Sequence, residues 1–205
     1  MPITINGTTG ISGVDGSAGT PALIGSDADT GLVFAAGQIT ASLNGSAANV
    51  PLVAGTAIAT TSGTAIDINT AIPSWVRRIT IAYSGVSLSG SAHSIIQLGS
   101  GSYTTTGYAS TGAYAGTTNS AGVASATNGL IAYGGSATNA FTGTMTIVAM
   151  GSNLWVASHS GALNTTIGVM GGGSITLGGT LDRLRITSTN GTDAFDAGSI
   201  TLLYE

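Results

Sequence analysis

From Ile79 to Leu181 the chain runs for about one hundred residues without a single Asp, Glu, Lys or Arg, and lysine is absent throughout. Gly, Ser, Thr, Ala and Asn fill this run, interleaved with Val, Ile, Leu and Tyr. β-Branched residues and glycines recur too often for an apolar face of period 3.6 to survive, so helices are disfavoured. The same mixture suits short strands separated by turns, with outward positions that carry hydroxyls instead of charges. The expectation is an all-β chain with a neutral, hydroxyl-rich surface.

Length and charge agree. At 205 residues the chain is long enough to bury a sizeable core. Disorder usually accompanies high net charge and low hydropathy, whereas here the net charge is -4 and the mean hydropathy +0.41. The 33 glycines follow no chain-wide period, which places them in turns and bulges. With no cysteine, disulfides and thiolate metal sites are excluded. Met1 to Gly10 lacks the basic and apolar regions of a secretory signal. Apolar runs such as Met145 to Met150 fall far short of the roughly 18–20 residues a spanning helix requires, so no membrane span is expected.

The composition divides the chain near residue 54. In residues 1–54, Gly10, Gly13, Gly16 and Gly19 fall at every third position, the spacing demanded by three chains packed around one axis, although a glycine-rich loop gives the same pattern. Asp27 and Asp29 lie two residues apart beside Gly31; they lack the further oxygen ligands and the bidentate Glu of an EF-hand, so an Asx-type turn is expected and no metal. An arm this poor in large apolar side chains orders only against copies of itself or a partner. Residues 55–205 read as about ten strands. These include Thr56–Thr61 and Thr64–Ile68 around a Ser62-Gly63 hairpin signal, Val76–Val86 with alternating Ile79, Ile81 and Tyr83, Gly143–Met150, Leu154–Ser158, Thr166–Met170, Ser174–Leu177, Leu181–Thr187 and Ile200–Tyr204. That pattern predicts a two-sheet antiparallel sandwich, jelly-roll-like, behind a short extended glycine-rich arm.

Candidate binding residues lie between Gly99 and Asn139, where Tyr103, Tyr108, Tyr114 and Tyr133 stand among Ser, Gly and Asn. Tyrosine in such company gives large amphipathic contact area at small entropic cost and stacks on sugar rings; the alternative is that these tyrosines cover the edge of the sandwich. Catalytic templates fail. His93 and His159, the only histidines, stand about sixty residues apart with no G-x-S-x-G context and read as hydrogen-bonded strand residues. Asp182, Asp193 and Asp196 are close enough in sequence to offer a carboxylate pair for glycan hydrolysis, but their Asn-Gly and Ala-Gly neighbours are turn chemistry. The four arginines, Arg77, Arg78, Arg183 and Arg185, are too few for a nucleic-acid surface; Arg183 and Arg185 share a strand face and are expected to pair with the nearby aspartates. Trp75 and Trp155 read as core anchors.

Three segments resemble those of a known family. NGTTGISGVDGSAGTPAL followed by DADTGL resembles the segment that recurs in bacteriophage tail-fibre proteins. IPSWVRRITIAYSGVSLSG resembles the strand that opens a carboxy-terminal β-domain in phage tail and virion proteins, and LDRLRITSTNGTDAFDAGSITLLYE is similar to its closing segment. The resemblance covers roughly half the chain. It implies a virion component, commonly a homotrimeric fibre whose amino-terminal part attaches to tail or capsid proteins and whose β-domain faces the host surface. Gly10, Gly13, Gly16, Gly19, Asp27 and Asp29 are then candidate attachment or trimer contacts. The sequence departs from longer fibres in having no shaft, coiled coil or self-cleaving chaperone tail, so tail fibre, tail spike and capsid-bound fibre all fit.

The resulting expectation is a non-enzymatic, cofactor-free virion protein that binds host polysaccharide or protein and neither nucleic acid nor membrane. Two readings of other classes stand beside it, a capsid or tail decoration protein without a receptor and an Asp-dependent polysaccharide depolymerase.

Overall fold

The structure, a computed structural model, describes the backbone of six short strands within residues 1–52, and then residues 53–68, 72–118, 120–132 and 134–205. The chain divides into two units, Met1–Leu52 and Val53–Glu205. In the first, Thr4–Asn6 (β1) pairs antiparallel with Gly10–Ser12 (β2), which sets Gly10 opposite Asn6. Leu23–Ile24 (β3), Gly31–Ala35 (β4), Gln38–Leu43 (β5) and Ser46–Ala48 (β6) form an antiparallel meander. Gly13, Gly16, Gly19, Asp27 and Asp29 lie outside the described residues.

The second unit is all-β. Its strands are Val53–Ala54 (β7), Ile58–Ala59 (β8), Ala65–Ile68 (β9), Arg78–Leu88 (β10), Ser94–Ser100 (β11), Ser102–Tyr103 (β12), Ala109–Gly116 (β13), Ala121–Ala126 (β14), Leu130–Ala132 (β15), Phe141–Gly151 (β16), Leu154–Leu163 (β17), Ile167–Thr176 (β18), Arg183–Ser188 (β19) and Phe195–Tyr204 (β20). They build two antiparallel sheets, as the strand pattern predicts. The larger has nine strands in the order β14-β13-β18-β17-β16-β10-β20, with β7 and β8 sharing the far edge of β20; the smaller has five, β11 and β19 at its centre with β9, β12 and β15 at its edges.

Period-two alternation places the core between these sheets. On β10 the buried set is Ile79, Ile81, Tyr83, Val86 and Leu88, and the spacing breaks between Tyr83 and Val86 because the register slips there. Gly85 (φ +63°) and Gly198 (φ +90°) make this bulge, and a side chain on Gly198 would collide with the Gly85 carbonyl. Facing strands add Phe141, Met145, Ile147, Trp155, Leu163, Val169 and Ile175 from the larger sheet and Ile96, Leu98, Leu184 and Ile186 from the smaller. Both tryptophans contribute, Trp155 buried and Trp75 packed half-buried against the cluster. A satellite cluster of Ile95, Ala126 and Ile131 fills the other side of β11.

Three local expectations are corrected. Ser62-Gly63 does not close a hairpin: β8 pairs with β20 in the larger sheet and β9 with β19 in the smaller, so the chain changes sheet there. Buried Thr60, donating to the Ala197 carbonyl at 2.7 Å, and Gly63, whose carbonyl accepts from Phe195 N–H, pin the crossing. Thr166–Met170 and Ser174–Leu177 are not two strands but one, β18, continuous through Gly171-Gly172-Gly173. His159, expected to be hydrogen-bonded, is 4% exposed with no partner for either ring nitrogen.

Candidate functional site

The feature that best fits a binding role is the outward face of the larger sheet. Register partners project to the same side of a sheet, so the inward residues of each strand define the outward ones. One outward row runs Thr201, Ala82, Thr144, Ser160, Met170, Ala113 and Val123 from β20 to β14. The next runs Leu203, Thr80, Thr146, Ser158, Gly172, Thr111 and Ser125. A third continues through Thr142, Ala162, Gly168, Ala115 and Ala121. Seven strands at the usual spacing make this face about 30 Å wide. None of these residues is charged. Val123 and Met170 are 73% and 64% exposed, large apolar groups on an otherwise small, hydroxylated surface.

The described ionisable groups lie outside these three rows and are mostly engaged; on the same face, Arg78 begins the next row, with Val148, Val156, Ser174 and Ala109, and Asp196 follows buried Phe195 at the other end of β20. Arg78 pairs with Glu205 at the end of β10. Arg183 Nε donates to Asp182 Oδ1 at 2.7 Å, and Asp182 also accepts from Gly101 N–H. Arg185 grips Asp67 with both Nε (2.5 Å) and Nη2 (3.1 Å). The partner of Arg185 is therefore a residue across the sheet rather than one of the neighbouring aspartates. These hydrogen bonds hold the Asp67 and Asp182 carboxyls below the ordinary carboxylate range. Asp193 accepts from Ala92 N–H and from Asn190, whose amide lowers its pKa most; Asp196 accepts from Ser87. Asn190 Oδ1 accepts from the backbone of Thr192 and Asp193, the Asx turn expected of that segment. Among the described residues no three His, Cys, Asp or Glu side chains gather as metal ligands, and no helix is long and apolar enough to cross a membrane.

The four tyrosines do not form one patch. Tyr108 is 3% exposed; its hydroxyl accepts from Leu98 N–H at 2.8 Å, and burial pushes its pKa up to about 12. It is a core pin, which corrects its reading as a contact residue. Tyr114, half-buried, lies over Gly122 on the inward side of the β13–β14 edge. Tyr103 belongs to the smaller sheet, where the Arg185 guanidinium sits 4.1 Å from its ring centroid. Tyr133 lies outside the described residues. Of the three described, Tyr103 and Tyr114 are half-buried and Tyr108 is buried.

Sequence reasoning looked for large aromatics and so passed over the outward rows. Their signal was present in the alternation of Thr142, Thr144 and Thr146 with buried neighbours, and in Ser158 and Ser160 either side of His159. Compared with protein-family models, with curated proteins and with solved structures, the chain matches none.

Proposed function

We propose that this chain is a non-enzymatic virion structural protein, a short homotrimeric fibre whose Val53–Glu205 unit meets the host cell surface with the outward face of its larger sheet. The observation that carries this reading is the absence of charge from three adjacent outward rows, the charged Arg78 and Asp196 standing at the margins of the face. A face of hydroxyls, methyls and backbone binds neutral polyols without stripping water from ions, the step that makes charged surfaces costly to cover. The engaged state of Asp182, Asp193 and Asp196 favours structure over hydrolysis for these carboxylates. Resemblance of both chain ends to phage fibre segments supplies the virion setting.

The test is adsorption competition with the full chain. Saturating soluble protein is expected to slow particle attachment to host cells, and the double variant Thr144→Lys/Ser160→Lys to lose that effect while keeping its melting temperature. Wild-type protein that binds particles yet leaves attachment unchanged would instead establish the decoration reading. Saccharide release that Asp193→Asn abolishes would establish the depolymerase. Light scattering that returns a monomer at micromolar concentration would remove the trimer.

A further inference from the structure

Arg77 stands apart from the other three arginines. Each of those holds a carboxylate, whereas Arg77 has no carboxylate partner among the described residues. Its Nη1 donates instead to the carbonyls of Ser74 (2.9 Å) and Val76 (3.0 Å), which fixes the guanidinium against the corner that leads into β10. The remaining guanidinium donors are not taken up by these bonds.

Arg77 lines a cleft of about 280 Å³ between three pieces of chain: the Pro73–Arg77 corner, the turn joining β16 to β17, and Thr180-Leu181. Trp155 contributes to the wall, and Ser74, Ser152, Asn153 and Thr180 supply hydroxyl and amide groups. The volume lies at the lower end of the range of small-molecule sites and admits one ring-sized unit. The rim is held in shape by the tight hairpin between β16 and β17, whose two central residues, Ser152 and Asn153, have the positive φ (+49° and +59°) that such a turn requires.

We propose that this cleft binds a single carboxylated sugar unit, with the carboxylate on Arg77 and the ring hydroxyls on Ser74, Ser152, Asn153 and Thr180. A guanidinium already anchored by two carbonyls presents a fork that matches a carboxylate in two parallel hydrogen bonds without side-chain ordering. The net charge of -4 gives no general attraction for anions, so selectivity rests on this one group. The site is separate from the neutral outward face and stands whether or not that face binds the host.

The experiment titrates the full chain with D-glucuronate and with D-glucose, following the indole N–H resonance of Trp155. Glucuronate is expected to shift that resonance saturably and glucose at equal concentration to leave it in place. Arg77→Gln should weaken glucuronate binding at least tenfold, and Arg77→Lys, which keeps charge and loses the fork, several-fold. Thr180→Trp fills the cleft with Arg77 intact and should abolish binding, so it decides the matter if the Arg77 variants do not fold. Equal binding of glucose, no saturable shift with glucuronate, unchanged binding by either Arg77→Gln or Thr180→Trp, or displacement by equimolar inorganic phosphate would each overturn the proposal. A glucuronate oligomer that binds more tightly than the monomer identifies a polymer as the source and equal affinity identifies the free sugar; the cleft is upheld in both cases.

Discussion

The hydroxyl of Tyr108 closes on both backbone groups of Leu98, accepting from its N–H at 2.8 Å and lying 3.4 Å from its carbonyl oxygen. That single residue ties the entry to β13 against β11, so it joins the two sheets by a side chain. Tyr108→Phe leaves the ring in place and strips the buried Leu98 N–H of its partner. The expected cost is about 1–3 kcal/mol, read as a lower midpoint in urea unfolding at unchanged slope, with attachment competition unaltered. A variant as stable as wild type would show that Leu98 finds another acceptor.

On the smaller sheet, Asp67, Arg185 and Tyr103 form a stacked group, with the guanidinium between carboxylate and ring. Both charges are substantially solvated, so the pair is worth little by Coulomb attraction alone; its two-pronged geometry raises it to the top of the surface range. Asp67→Asn is expected to cost about 0.5–1 kcal/mol at pH 7. Asp67 has a folded pKa below its unfolded value, so its stabilisation is complete above the unfolded pKa and disappears as pH falls through the folded one. Wild type and variant should therefore converge in stability as pH falls through the lowered folded pKa of Asp67; a gap that persists below it assigns the effect to packing of Arg185 on Tyr103.

The fold was legible where side chains are large and alternate. Ile79, Ile81 and Tyr83 marked β10, and the apolar residues of β16 and β17 marked theirs, because burying such groups on one face admits only one register. It was not legible in β13 and β14, whose Ala, Ser, Thr and Gly carry almost no hydrophobic signal. These strands exist because β18 offers them a ladder edge, a tertiary fact that local propensity does not contain. The glycine run of β18 misled for a related reason, since glycine reads as a break while here it makes room for residues of β17 and β13. The cleft at Arg77 was hidden because it joins residue 77 to residues 153 and 180. What did carry through was the polarity pattern: the missing charges of the central run appear as three uncharged rows across the outward face, with Arg78 and Asp196 at its margins.

His159 sits beneath this face with neither ring nitrogen hydrogen-bonded, its ring edge-on to Phe141 at 6.3 Å. Burial lowers its pKa to about 4. A histidine depressed in this way stays neutral in the folded chain while the unfolded chain takes up a proton near pH 6.5, so stability is full above that value and declines as pH drops toward 4. The loss across this window should be on the order of 2–3 kcal/mol, with His93, also lowered by burial, adding to it. His159→Leu removes two unsatisfied polar atoms and should raise stability at pH 7 by about 1–2 kcal/mol while flattening most of the decline between pH 6.5 and 4. A variant with an unchanged pH profile would place the titration on another group.

Gly168 and Gly171 stand three residues apart on β18 and face opposite ways, which makes them an internal control for the sidedness of the larger sheet. Gly171 is the register partner of His159 and of Gly112; a Cβ there would collide with His159 Cε1 and with the Thr111 carbonyl, and would lie 2.8 Å from Gly112 Cα. Two of these three obstacles are backbone, so the strand itself would have to move. At Gly168 the nearest atom to a Cβ is the Ala115 carbonyl at 3.9 Å, an ordinary contact. Neither residue has the positive φ that only glycine tolerates, so sterics alone separate them. Gly171→Ala is expected to cost about 1–3 kcal/mol and Gly168→Ala to be neutral or to stabilise by up to about 1 kcal/mol through the stiffer unfolded chain. Truncating His159 to alanine relieves only the side-chain clash, so the double variant His159→Ala/Gly171→Ala should recover little of that loss. Full recovery would mean that β13 and β18 are looser than their register implies, and with them the outward face those strands support.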